Sequence, residues 1–299
     1  MPDTTTPTRS SRRPTVLVTG ATGNLGREVV DRLRARGARV RCLLRDLAGA
    51  PPEAEPAVGD LTDPVAVRRA LVGVDAVFLI WPLLDAAPAH GLIAELAAAA
   101  PHPVLVHLSS AAVDDAAARQ SDPIVQVHAD MEGLLHGAGL RPVVLRSDTL
   151  ASNARGWKRQ LAAGDVVSGP ETARTAVVDE RDVAEAAVAV LLAHDAHRDH
   201  GPYVLTGPEV LGRAEQVAQL GAALRRDLRF QALPAPLARA RMLADGLPEP
   251  LADALAAASE RRPDSPRVTD HVRRLTGHPA GTFARWAADH AAEFGRREP

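Results

Sequence analysis

Several residue types are almost missing from this chain, and each shortage removes a class of function. One cysteine, Cys42, among 299 residues excludes an internal disulfide framework and any multi-cysteine metal or iron–sulfur centre. Net charge is nearly absent as well. The 35 Lys and Arg against 37 Asp and Glu leave a formal charge of -2, without the broad positive field that nucleic-acid or anionic-membrane binding needs. No stretch approaches the roughly 18 uninterrupted apolar residues of a membrane span; the most apolar helical segment, Gly91 to Ala100, is broken by Glu95 and followed by Pro101 and Pro103. Residues 1–14, MPDTTTPTRSSRRP, have no apolar h-region and read as a flexible leader, not a signal peptide. Lys158 is the sole lysine and Tyr203 the sole tyrosine. The scarcity of lysine beside abundant alanine, glycine and proline points to a GC-rich genome. A cytoplasmic protein without nucleic-acid or membrane partners is the expectation, as a monomer or homodimer.

What is present is a long alternation of two hydrophobic periods. Short, nearly continuous apolar runs at Thr15–Thr19, Arg39–Leu44, Ala57–Val58, Ala76–Ile80, Val104–Leu108 and Pro142–Leu145 have the pattern of strands buried on both faces. Between them helices are predicted at Leu25–Arg36, at Pro64–Leu71 behind Asp63, at Ala86–Ala100 and at Val125–His136. Strand, helix, strand in this order predicts an α/β fold with a doubly wound parallel Rossmann-type sheet. After Arg146 the alternation breaks into a helix near Arg155–Ala163, a strand near Ala176–Val178, a helix at Val183–His194, a strand at Tyr203–Thr206 and further helices. The predicted domains are a dinucleotide-binding unit over 15–147, which also receives the βα elements around 174–206, and a small, mostly helical lobe over 148–299 that covers a substrate.

The first strand runs into TGATGNLG, Thr19–Gly26, with glycines spaced G-x-x-G-x-x-G ahead of a helix. Gly20 permits the tight turn, Gly23 lets the backbone approach a pyrophosphate, and Gly26 lets the helix pack on the strand. With Thr22, Asn24 and Leu25 they make a dinucleotide-binding turn. The second strand ends in Arg45-Asp46, about 20 residues on, where the adenosine ribose is read. A guanidinium there favours a 2′-phosphate and hence NADP(H); Asp46 keeps NAD(H) open.

The ordered set TGATGNLG, LLRD at Leu43–Asp46, GDLTDP at Gly59–Pro64, FLIWP at Phe78–Pro82, HLSSA at His107–Ala111, HADME at His128–Glu132 and YVLTGPE at Tyr203–Glu209 resembles the atypical short-chain dehydrogenases/reductases of the NmrA-like, quinone-oxidoreductase-like branch. The resemblance covers most of the chain. It implies Asp60 and Leu61 at the adenine, Ile80, Trp81 and Pro82 along the ribose and pyrophosphate, and Ser109 near the nicotinamide. It also exposes a departure. The wider family uses a Tyr-x-x-x-Lys pair whose tyrosine protonates the nascent alkoxide; here Ile124 falls at the tyrosine position and His128 at the lysine position.

A reductase without that tyrosine suits acceptors whose reduced oxygen is weakly basic, so the expected substrate is an aromatic or quinone-like carbonyl, a polyketide of specialised metabolism, and not an aliphatic ketone. Ser109 or Ser110 would orient the carbonyl. His128 would hold the nicotinamide ribose or feed a proton through water, since imidazole titrates near neutral pH. The rival reading is an NmrA-like regulator that senses NAD(P) and catalyses nothing. No metal is expected: the histidines of His194–His200 sit in a polar helix end and read as a solvated turn. Cys42, in mid-strand, reads as an inert small hydrophobe, and Tyr203 as a packing residue.

Overall fold

The computed structural model describes residues 13–193 and 201–295, so the His194–His200 segment lies outside the described residues. Seven parallel strands stand in the order β3(Glu55–Val58), β2(Arg39–Leu44), β1(Thr15–Thr19), β4(Ala76–Leu79), β5(Val104–Ser110), β6(Val143–Ser147) and β9(Tyr203–Leu205). The order in which successive strands are added reverses between β1 and β4, which leaves a crevice at the carboxyl ends of these two parallel strands. Strands buried on both faces account for the apolar runs. Helices α1(Asn24–Ala35) and α6(Glu180–Leu192) close one face through Val29, Val30, Leu33, Val183 and Val190. Helices α2(Pro64–Leu71), α3(His90–Ala98) and α4(Pro123–Gly137) close the other through Val67, Ile93, Leu96, Met131 and Leu135.

Aspartate followed by proline starts two of these helices. The side chain of Asp63 accepts from the N–H of Val65, and that of Asp122 accepts from Ile124 and Val125, so α4 begins two residues before the predicted start. Proline at the first position loses nothing, since that N–H has no partner within the helix. The stretch predicted as one helix from Ala86 is a 3₁₀ turn over Ala87–Ala89 followed by α3.

Beyond β6 a second core forms from a 3₁₀ segment Ala151–Trp157, α5(Lys158–Ala163), β7(Val166–Pro170), α7(Arg213–Leu224), β11(Arg229–Leu233) and α11(Phe283–Asp289). Strand β7 pairs in parallel with β11, and the two-residue β8(Thr175–Ala176) pairs antiparallel with β10(Val210–Leu211). The strand predicted at Ala176–Val178 is thus shorter and earlier, with Val178 bridging only to Leu150. Between β11 and α11 lie three further helices, α8(Ala235–Ala244), α9(Glu249–Arg261) and α10(His271–Thr276), the last returning Val272 and Leu275 to the main sheet's core. Fully buried Glu180, at the start of α6, joins the two cores by accepting from Arg155 Nη1 at 2.7 Å and Trp286 Nε1 at 3.1 Å. Among the described residues no helix is long and apolar enough to cross a membrane. Burial pushes the Cys42 thiol up to about 12, which removes its nucleophilic form at neutral pH.

His107 is completely buried in mid-β5, bonded through Nδ1 to the Leu79 carbonyl, while Nε2 has no partner among the described residues. Burial first, then nearby His128, lowers its pKa from 6.5 to about 4. A histidine held neutral stabilises the fold fully above its ordinary pKa, and that stability is lost as pH falls from 6.5 toward about 4. At pH 5 the loss is about 2 kcal/mol. Urea unfolding of the protein and of His107→Gln at pH 7 and pH 5 measures it: the variant's stability will fall by about 2 kcal/mol less over this interval.

Candidate active site

Two cavities open at the carboxyl ends of the main sheet. The first, about 480 Å³, lies over β1, β2 and β4 and is lined by Gly20, Thr22, Arg45, Asp60, Leu61, Trp81 and Pro82, together with Asp46, Ala48 and Leu83. Its floor is set by the glycine turn. Gly20 takes a φ of +67°, a region that L side chains rarely enter. A Cβ on Gly26 would stand 2.1 Å from the Gly20 carbonyl oxygen, so the first turn of α1 approaches the strand end closely only because that atom is missing. Gly23 is the N-cap of α1, and no side chain accepts from the helix's leading N–H groups; they are free for an anion. Thr19 Oγ1 donates to the Ile80 carbonyl at 2.9 Å and accepts from the Ile80 N–H at 2.7 Å, which ties the end of β1 to β4 and holds Ile80 against Gly20. Gly23, Asn24, Leu25 and Gly26 form the turn and the helix start without lining the cavity.

At the far end of this cavity the two acidic side chains are engaged locally. Asp46 Oδ1 accepts from the Ala48 N–H at 2.8 Å. Asp60 accepts from the hydroxyl and N–H of Thr62, which hold its carboxyl below the usual range. Exposed Arg45 makes no ion pair among the described residues. Free helix N–H groups at the glycine turn beside this cavity and an uncommitted guanidinium on its wall fit a dinucleotide bearing a 2′-phosphate.

The second cavity, about 520 Å³, lies over β5 and β6 and brings together Ser109, Ser110 and His128 with Ile124, Asp148, Asn153, Thr175, Arg262 and Arg267. Ser109 is buried and donates to Glu132 Oε1 at 2.5 Å. Glu132 in turn receives Nε and Nη2 of buried Arg146 at 3.0 and 2.7 Å, and Arg146 reaches Asp115 with its remaining donors. The Ser109 proton is therefore committed away from the cavity, which its oxygen faces only as an acceptor. Ser110 Oγ accepts from the Ala112 N–H at 3.2 Å and keeps its own proton for a ligand. Burial lowers the His128 pKa, with Glu132 opposing, so the imidazole is neutral at pH 7. Ile124 puts hydrocarbon on the wall where the resemblance placed a phenol.

Asp148, Asn153, Thr175, Arg262 and Arg267 were not singled out from the sequence. Only tertiary folding carries Thr175 and the segment after α9 over the ends of β5 and β6, so no local spacing announces them. Tyr203 is buried, edge-on to His271 with ring centroids 5.6 Å apart, and does not line the cavity.

Against known proteins, the NAD(P)H-binding family model matches residues 20–194, and the chain belongs to this family. The chain is 38% identical to a Streptomyces griseus (4-alkanoyl-5-oxo-2,5-dihydrofuran-3-yl)methyl phosphate reductase over 93% of its own length and 99% of the relative's. It is 31% identical to an NAD(P)H azoreductase from Xenophilus azovorans over 94% and 99%. The fold matches an NADPH-dependent quinone oxidoreductase from Escherichia coli, solved with NADPH, at a TM-score of 0.74 and 24% identity, covering 92% of this chain and 99% of that one. These findings agree with the resemblance to NmrA-like atypical short-chain dehydrogenases/reductases.

Gly26→Ala will force the α1 turn off the strand end. Its Tm will fall and NADPH affinity, followed by quenching of protein fluorescence, will drop by at least about tenfold, whereas a glycine with open space around it, such as Gly133, will tolerate alanine.

Proposed function

We propose that the protein is an NADPH-dependent reductase that delivers hydride to an electron-poor, conjugated acceptor, an aromatic or quinone-like carbonyl in the first instance. The observation that carries this reading is the second cavity: it adjoins the sheet end that holds the dinucleotide turn and is walled by a free serine hydroxyl, a neutral imidazole and hydrocarbon. A sensor that only binds the cofactor has no use for such a pocket. The names of the relatives include a dihydrofuranone, an azo group and a quinone, which share a conjugated double bond that accepts hydride readily.

In this reading the free N–H groups beyond Gly23 hold the pyrophosphate, Arg45 the 2′-phosphate, Asp60 and Leu61 lie at the adenine, and Ile80, Trp81 and Pro82 along the ribose and pyrophosphate. The bound cofactor supplies the hydride. Ser110 donates to the acceptor's oxygen and orients it. Ser109, an obligatory acceptor because of Glu132, receives an N–H or O–H from whatever lies beneath the substrate. Neutral His128 supplies one donor and one acceptor at the back of the cavity and, at neutral pH, no labile cationic proton. The substrate is a small molecule, and the work is done in the cytoplasm.

Purified protein with NADPH and a panel of quinones, aromatic ketones and aliphatic ketones, followed by loss of reduced-nicotinamide absorbance, tests this directly. Turnover will be confined to the conjugated acceptors. Tight NADPH binding with no turnover on any of them would return the protein to the sensor class. Arg45→Gln will weaken NADPH by about ten- to hundredfold, the worth of charge-assisted hydrogen bonds to phosphate, and leave NADH within about twofold; equal losses for both cofactors would deny Arg45 the phosphate.

A further inference from the structure

The missing tyrosine leaves the reductase reading without a proton donor, and the wall of the second cavity offers a replacement. Asp148 follows β6 directly. Its neighbour Ser147 pairs with Ser110 across the sheet, and the Asp148 N–H is held by the Leu205 carbonyl at 2.9 Å. Asp148 lines the same cavity as Ser110 and His128. Oδ1 accepts from the Thr149 N–H at 2.6 Å and Oδ2 from the Ala176 N–H at 3.2 Å, and the Thr175 side chain also bonds to the carboxyl.

We propose that Asp148 is the catalytic acid of this reductase, its carboxyl giving the proton that a tyrosine gives in the wider family. The proposal rests on the reductase reading above. In the step, hydride from reduced nicotinamide forms the new C–H bond, the carbonyl π pair moves to oxygen, and that oxygen takes the proton from the Asp148 carboxyl. The cofactor is oxidised and the carbonyl is reduced to an alcohol, which in the case of a quinone tautomerises to the hydroquinone as the proton leaves that carbon and another is taken up by the second oxygen. The Asp148 carboxylate is reprotonated from solvent through the cavity mouth.

Asp148 and His128, both on the wall of this cavity, are driven in opposite directions by the same cause. Burial raises the Asp148 pKa, against the hydrogen bonds from Thr149, Thr175 and Ala176 and the charge of Arg262; burial lowers that of His128. Groups pushed apart in this way mark the acid in a site. The other carboxyls on the wall are differently placed. Asp122 is tied to Arg262 and to the first N–H groups of α4, and Asp114 and Asp264 are exposed and accept from the backbone N–H groups of Ala116 and Arg174. Arg267, also on the wall, is a permanent cation and gives no proton at working pH.

The test compares the protein with Asp148→Asn and Asp148→Glu, using a quinone and an aromatic ketone as acceptors and NADPH affinity as the control for folding. With the ketone, whose alkoxide is strongly basic, Asp148→Asn will lower kcat by about a hundredfold or more. With the quinone the loss will be smaller, and Asp148→Glu will recover part of both. The protein's own kcat for the ketone will fall as pH rises through the titration of Asp148, and this alkaline limb will vanish in Asp148→Asn. Wild-type kcat in Asp148→Asn, or equal losses for both acceptors, would overturn the proposal and leave the reductase reading standing. Should Asp148→Asn not fold, the unmodified protein decides: a pH-independent ketone kcat without a solvent deuterium isotope effect overturns the assignment. No turnover by the protein itself on either acceptor defeats the reductase reading, and the proposal with it.

Discussion

The buried ion pair between Glu132 of α4 and Arg146 of β6 is the contact on which the candidate site depends. Taking two charges out of water is costly, and the pair is tolerable because each nitrogen of the guanidinium and both oxygens of the Glu132 carboxylate are hydrogen-bonded. The guanidinium spreads over Glu132 and Asp115, and the remaining capacity of Glu132 Oε1 is taken by Ser109. A carboxylate is an acceptor only, so it dictates which way the Ser109 hydroxyl points. One ion pair thus settles the hydrogen-bond polarity of the strand end that faces the cavity. It also locks the helix carrying His128 to the strand that leads into Asp148.

Burial does different chemical work on the ionisable groups around this pair. His107 and His128 lose their protons to it, while Asp148 is encouraged to keep one. The imidazole at the usual lysine position is therefore no substitute for a cation, and the isoleucine at the usual tyrosine position is no substitute for an acid. With both members of the usual pair replaced, proton supply moves from α4 to the end of β6. This relocation needs only a carboxyl in a partly dry cavity, since desolvation penalises the charged form whichever element carries the group.

Much of the fold was legible because parallel strands buried on both faces write themselves as apolar runs. The bounds of β1, β2 and α2 come out as read, and α2 does so because Asp63-Pro64 is a start signal with a mechanism. The same signal at Asp122-Pro123 places the start of α4 two residues ahead of its first apolar positions. Strands β5 and β6 run on into Ser110 and Ser147 because main-chain pairing between neighbours, and not side-chain hydropathy, ends them. Strands β7, β10 and β11 were not legible. They are short, and RFQAL of β11 is exposed at Arg229, Gln231 and Ala232, so tertiary pairing alone makes them strands. The candidate site divides the same way. The dinucleotide turn is local and announces itself in eight consecutive residues, whereas the second cavity draws on β5, α4, β6, β8 and the chain beyond α9.

That second cavity keeps its shape through contacts that serve two elements at once. Buried Asp122 caps α4 with one carboxyl oxygen and receives Arg262 Nε and Nη2 at 2.6 and 2.5 Å on the other. The segment beyond α9 is therefore fastened to the first turn of the helix that bears His128 and Glu132. On the opposite side Glu180 performs the same service, taking Arg155 and Trp286 into the start of α6. Because each carboxylate takes donors from two separate parts of the chain, neither part can shift without stranding a charge in a poorly solvated place. The covering lobe is held as a fixed wall over the strand ends, which suits a flat, rigid acceptor whose position against the cofactor has to be set by shape before any proton moves.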